Sequence, residues 1–211
     1  MSSDLNPEKA LIFRITHRDN LPWAFANGLH CPSSDKRDLN YVSIGNVDLI
    51  DKRQHRVVPI PPGGTLSDYV PFYFTPYSPM LLNIKTGRGV PKRANEEIVI
   101  VVSSLHKLKT QEHAFVFSDR HAYLNAAQFS SDIKRLDLID WKILQRRDFQ
   151  RDASDKFERY QAEALVHKHL PMEGLIGIIC YNDSVGEMVT ELVKKNKLSL
   201  QVATKPGFYF R

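Results

Sequence analysis

Cysteine is nearly absent from this 211-residue sequence: there are two, Cys31 and Cys180, far apart and in no metal-ligand spacing. That excludes a disulfide framework and a cysteine-built zinc site, and it points to a reducing compartment. No Gly-rich phosphate loop, Cys/His cluster or Gly-x-Ser-x-Gly nucleophile elbow occurs. No apolar run approaches the roughly 18 residues of a membrane helix. The opening "MSSDLNPEKA" is polar and lacks the apolar centre of a signal peptide. No internal repeat, low-complexity tract or linker divides the chain. The expectation is one domain over residues 1–211, monomeric, cytoplasmic, away from membranes and without a metal.

What is present is ordinary in amount and unusual in arrangement. Hydrophobic residues make up 42% and charged residues 25%, enough for a full globular core. A net charge of +5 suits a polyanionic partner, and it equally suits a plain basic surface. Along the chain, "LIFRIT" reads as a first strand. "DNLPWAFANGL" reads as a helix capped by Asp19 or Asn20, with Pro22 in its first turn and Gly28 at its stop. Residues 31–45 read as a loop, and "DLIDKRQHRVVP" as a short basic helix ended by Pro59. Strands are expected at Tyr69 to Phe74, Ile98 to Val102 and Ala114 to Phe117, in "LIGIICYN" and in "LSLQVA". Residues 125–148 show helical spacing through Ile133, Leu136, Ile139 and Ile143. "AEALVHKHLP" fits strand or helix, and Ser184 with Glu187 forms a capping box for a last helix. Strands and helices do not alternate strictly, which makes the fold class α+β.

The residues alone allow two readings at each candidate position. Arg53, among Lys52, His55 and Arg56, precedes a rigid aromatic stretch, "PPGGTLSDYVPFYFTPYSPML". It is placed to grip a phosphate through two parallel hydrogen bonds, or to sit on a solvated helix face. "SDRH", Ser118 to His121, follows a strand and is either a site turn or a polar turn. Glu163 is the lone charge beside an apolar run, either facing a cleft or exposed on a helix. His17 and His55 are isolated histidines, most simply ordinary ones.

Taken in order, "ITHRDNLPWAFANGL", "DKRQHRVVPIPPGG", "LSDYVPFYFTPYSPML", "FVFSDRHAYL", "YQAEALV" and "KPGFYF" resemble the DarT family. These are DNA ADP-ribosyltransferase toxins of bacterial DarT–DarG toxin–antitoxin pairs. The resemblance spans nearly the whole chain, and the run "PPGG", "DYVPFYF", "SPML" is its most specific part. It implies an ADP-ribosyltransferase fold, a split pair of small sheets with surrounding helices and NAD in the cleft. It implies transfer of ADP-ribose from NAD to a thymine or guanine of single-stranded DNA, with a DarG-like macrodomain antitoxin as partner. Carried over residue by residue, Glu163, Arg53 and His121 are catalytic. Arg14, Thr16, Asn20, Gly28, Arg53 and Tyr73 are expected around NAD. Arg147, Arg151, Arg159 and Gln161 are expected on DNA, with Phe149 or Phe157 stacking on a base. Phe72, Tyr73 and Phe74 are expected to form a wall for the nicotinamide. Arg14 stands where several family members carry histidine, as in arginine-type transferases. The same fold acting on RNA or protein, or a silent DNA-binding module, are the competing readings.

Overall fold

The computed structural model describes residues 4–210. In chain order the main elements are β1 (Leu11–His17), α1 (Leu21–Asn27), β2 (Leu29–His30), α2 (Val47–Arg53), β3 (Tyr69–Tyr73) and α3 (Pro79–Thr86). Then come β4 (Ile98–Ser104), α4 (Leu105–Thr110), β5 (Phe115–Ser118), β6 (Phe129–Ser130), α5 (Trp141–Arg146) and α6 (Ser154–Arg159). The chain closes with β7 (Glu163–His167), β8 (His169–Leu170), β9 (Gly177–Cys180), α7 (Asp183–Lys195) and β10 (Gln201–Thr204).

Eight strands form one mixed sheet in the order β10-β9-β4-β1-β3-β7-β5-β6, and β2 pairs with β8 in a small second sheet. Strand β4 is its hydrophobic centre. All seven of its residues are buried, so "IVIVV" has no polar alternation because neither face meets water. It pairs with β1 along the full length, from Leu11↔Ser104 to His17↔Ile98. On its other side it pairs with β9, which pairs in parallel with β10 across α7. The expected split appears as a seam. Strands β1 and β3 share a single residue pair, Phe13↔Tyr73, so the sheet divides there into two four-stranded halves. Across that seam Arg14 donates from Nη1 to the carbonyl of Pro71 at 3.0 Å.

The aromatic stretch owes its rigidity to β3 and the turn before it. Tyr69 donates its hydroxyl to the Gly63 carbonyl at 2.6 Å, tying the turn back onto the strand. Gly63 and Gly64 take φ of +80° and +78°, which side chains rarely adopt. A Cβ on Gly64 would also lie 2.4 Å from Asp68 Oδ2. Asp68 accepts from Ser33, Thr65 and Lys168, so it pins the loop after β2 to the start of β3.

Several local expectations differ from what forms. Residues 125–148 are not one helix but β6, a 3₁₀ segment (Ile133–Leu138) and α5. Asp132 accepts from the Lys134 backbone N–H and Asp140 from that of Ile143, and these two side-chain caps break the apparent periodicity. Asn20 precedes α1 but makes no cap bond. Its amide is spent on the Thr16 hydroxyl and on both backbone groups of Val42. Helix α7 is capped by Asn182, which accepts from Val185 N–H, rather than by the Ser184–Glu187 pair. "AEALVHKHLP" resolves into strands because β7 lies between β3 and β5, covered on both sides.

Candidate active site

The site is assembled where β7 begins. Glu163, its first residue, pairs with Tyr73 at the end of β3 and with Ser118 at the end of β5. A carboxylate at a strand start between two aromatic-rich strands is 3% exposed and needs partners there. It has three. Arg53 Nη1 lies 3.2 Å from Oε1 and 2.9 Å from Oε2. The backbone N–H of Ala122 donates to Oε1 at 3.0 Å, and His121 Nδ1 lies 3.1 Å from the same oxygen. The backbone N–H of Tyr123 also points at His121 Nδ1, at 3.3 Å, so the turn holds the imidazole edge against the carboxylate. Burial pushes the Glu163 carboxyl up. The Arg53 charge, His121 and the Ala122 N–H outweigh it and hold the group at about 2.

Arg53 reaches this carboxylate from the last turn of α2. That helix buries none of its residues and is capped by Asn46, whose side chain accepts from Leu49 N–H and donates to the Gly89 carbonyl. The guanidinium is nonetheless only 13% exposed. Its Nη2 is buried and has no hydrogen-bond partner. A buried guanidinium nitrogen without an acceptor costs free energy unless a ligand supplies one. An anionic group would satisfy it.

His121 is held by the turn after β5. Ser118 donates to the Arg120 carbonyl at 2.7 Å, and Asp119 accepts from Gln128 N–H at 2.9 Å. Arg120, not singled out in the sequence, pairs with Asp119, Asp155 and Glu158 at 3.0–3.3 Å. The His121 backbone N–H donates to the Glu158 carbonyl at 3.1 Å. The turn touching Glu163 is thus bolted to α6. Three carboxylates around one arginine were written in the sequence, but 35 and 38 residues separate two of them from Arg120. Ala122 contributes a backbone N–H, which no residue type announces.

Of the expected aromatic wall, only Tyr73 is half-buried; Phe72 and Phe74 lie in the core. Strand alternation explains this, since β3 turns Phe72 and Phe74 one way and Tyr73 the other. Burial and the Glu163 charge raise the Tyr73 hydroxyl above its ordinary value against Arg53 and Arg14, so it remains a donor. Arg14 therefore borders the same group of charges. Thr16 is buried under Asn20, and Gly28 ends α1 at φ +82°, where a Cβ would lie 2.2 Å from His169 Nε2. His17 is buried against Glu97, whereas His55 is exposed beyond α2.

The expected DNA residues lie along the segment before β7 and are variously engaged. Arg147 places its guanidinium 3.5 Å from the Tyr77 ring centroid. Arg151 covers the Phe157 ring at 4.7 Å. Arg159 pairs with Asp155 and Asp140, and Gln161 donates to the Phe157 carbonyl. Among the described residues no group of three or more His, Cys, Asp or Glu side chains is placed to hold a metal.

The family model described as "ssDNA thymidine ADP-ribosyltransferase, DarT" matches residues 13–210. The chain belongs to the DarT family. It is 52% identical over 212 residues to a DNA ADP-ribosyl transferase of Escherichia coli O127:H6, covering 99% of this chain and 97% of the relative. A DNA ADP-ribosyl transferase of Thermus sp. 2.9 is 37% identical over 192 residues, covering 90% of each. The structure of Thermus sp. 2.9 DarT in complex with ADP-ribosylated ssDNA superposes with a TM-score of 0.86 at 33% identity, over 97% of this chain and 98% of that one. The same DarT in complex with NAD+ gives 0.84. The DarT architecture therefore extends over almost all of this chain.

Proposed function

We propose that this chain attaches ADP-ribose from NAD to a thymine of single-stranded DNA, with Glu163, Arg53 and His121 as its reaction centre. Family membership makes it an NAD-dependent ADP-ribosyltransferase acting on DNA. The family description supports thymine over guanine and a single-stranded acceptor. The observation that carries the residue assignment is the buried Glu163 carboxylate held by Arg53, whose Nη2 still lacks an acceptor.

Arg53 is suited to the NAD diphosphate, because its unpaired nitrogen is already desolvated and aimed by the ion pair. Breaking the bond between nicotinamide N1 and ribose C1′ sends the electron pair to nicotinamide and leaves an oxocarbenium-like ribose. Glu163, kept ionised, accepts from the ribose 2′-hydroxyl and stabilises that positive charge, as carboxylates do in glycoside chemistry. Tyr73 offers a ring face to the leaving nicotinamide. Thymine then forms a bond from its one ring N–H nitrogen to C1′ and releases that proton. When Arg53 turns towards the diphosphate, Glu163 loses its strongest stabilising charge, its proton affinity rises, and it becomes the better acceptor for that proton. His121 holds the carboxylate on Oε1 throughout. Arg14, at the seam beside Tyr73, faces the same cleft and is read as a further support for the NAD ribose or phosphate, with Thr16, Asn20 and Gly28 shaping the wall behind it.

All three groups come from one chain, so the proposed reaction centre needs no residue from a second copy. The family pairing supports a DarG-like macrodomain as the cognate antitoxin. The test separates binding from chemistry. Glu163→Gln should bind NAD within a few-fold of wild type and lose roughly 10²- to 10⁴-fold in single-turnover transfer to single-stranded oligonucleotides. Transfer at the wild-type rate would remove Glu163 from the mechanism.

A further inference from the structure

Arg56 lies just beyond α2, in the segment that follows Arg53, and it reaches the turn that holds Glu163. Its Nη2 donates to the Leu124 carbonyl at 2.9 Å, and its Nε lies 3.5 Å from the Ala122 carbonyl. We propose that Arg56 is a positioning residue for the transfer reaction: it fixes the turn carrying His121 and Ala122 against the segment carrying Arg53, so that both sides meet Glu163 in one register. The inference rests on the reading of Glu163 as the carboxylate of the reaction centre, and goes beyond it by naming what holds its partners together.

Glu163 is approached from two directions. Arg53 comes from the end of α2, whereas the His121 imidazole and the Ala122 N–H come from the turn after β5. These groups converge on one carboxylate only while the two segments keep their relative place. Sixty-eight residues separate Arg56 from Leu124, so no local geometry sets that place. The Arg56 side chain spans it directly.

Both ends of this strut are themselves fixed. The Arg56 backbone N–H donates to the Arg53 carbonyl at 3.4 Å, and the Arg56 carbonyl accepts from Leu66 N–H at 2.9 Å. At the far end Ala122 is fully buried, in a small cluster with Val58, Leu66 and Tyr69 that is separate from the main core. Ala122 is thus held by all three of its groups: its methyl in that cluster, its N–H on Glu163 and its carbonyl facing Arg56. Arg120 ties the start of the turn to α6, and Arg56 ties its end to the segment after α2.

The side chain suits the task. A guanidinium is planar, and its Nε and Nη2 donate in one fixed plane, here towards two carbonyls of one turn. Arg56 is half-buried, which shields these bonds from water. A lysine has the charge and the reach but a single nitrogen, which cannot place two bonds in that plane.

The test is a double-mutant cycle on the full chain, read in single-turnover transfer to a single-stranded oligonucleotide at saturating NAD. Arg56→Ala should lower the rate roughly 10- to 100-fold, the scale of a reacting group displaced by about 1 Å, with NAD affinity within a few-fold of wild type. In the Glu163→Gln background the same substitution should cost less than about three-fold, because the carboxylate whose partners it aligns is gone. Arg56→Lys should fall between Arg56→Ala and wild type, and it carries the same cycle if Arg56→Ala does not fold. Wild-type transfer by both Arg56 variants overturns the inference. So does an equal fold-loss with and without the Glu163 carboxylate, which is the result of a general structural loss. Wild-type transfer by Glu163→Gln alone overturns the reading of the reaction centre, and this inference with it.

Discussion

Helices α2 and α7 carry opposite loads. Helix α7 is 13 residues long and buries Val185, Val189 and Val193, a stripe at four-residue spacing against the β9–β10 edge. Helix α2 is 7 residues long, buries none, and leaves Val47 74% exposed. Yet α2 supplies Arg53, whose guanidinium enters the buried polar corner at Glu163. One helix stabilises the fold through apolar area. The other is held by a cap, a bond to Gly89 and an ion pair with Glu163, the proposed reaction centre. Stability and chemistry are therefore separable here, and substitutions should separate them.

The largest effect should come from the ion pair. Arg53→Ala and Glu163→Gln should each reduce transfer by roughly 10²- to 10⁴-fold, and the double variant should lose little more than the worse single one. Additive losses in a double-mutant cycle of single-turnover rates would show that the two residues do not act as a unit.

The same pair predicts an acid-sensitive share of stability. Glu163 titrates at about 2 in the fold against an ordinary 4.5. A depressed carboxyl stabilises the fold above its unfolded value, and that contribution, about 3 kcal/mol in scale, is lost as pH falls from 4.5 towards 2. Urea midpoints should therefore fall more steeply below pH 4.5 for wild type than for Glu163→Gln. Parallel curves would mean that the pair does not depress Glu163.

Smaller effects mark the helices themselves. Val189→Ala should cost about 1–3 kcal/mol in urea unfolding with unchanged transfer per folded molecule. Val47→Ser should stay within about 0.5 kcal/mol, because it removes nothing buried. A loss in transfer by Val189→Ala without a loss in stability would break the separation.

Much of this was legible in the sequence. The β-branched run of β4 and the proline and glycine stops around β3 gave those strands, and the lack of strict alternation gave the α+β class, while "AEALVHKHLP" stayed open between strand and helix. The resemblance carried by "DKR", "SDRH" and "AEALV" put Arg53, His121 and Glu163 forward, and the fold brings Arg53 and His121 within hydrogen-bond distance of Glu163. What stayed hidden follows from how the information is written. Asp132 and Asp140 read as exposed polar positions of a helix until their side chains are seen capping backbone N–H groups. Tyr73 and Phe72 are adjacent aromatics, and only strand alternation decides which one faces the cleft. Ala122 acts through its backbone. Arg120 meets its acids from another part of the chain. Arg56 reads as one more charge of a basic helix until the Ala122 and Leu124 carbonyls are seen beside it.

The most direct measurement is the intact mass and fragmentation of single-stranded oligonucleotides after incubation with NAD and this protein. Oligonucleotides with one thymine would be compared with thymine-free ones of the same length. The account predicts one added ADP-ribose, localised to the thymine base, and none on the thymine-free strand. An adduct on guanine, or no adduct on any DNA while NAD is consumed, would contradict it.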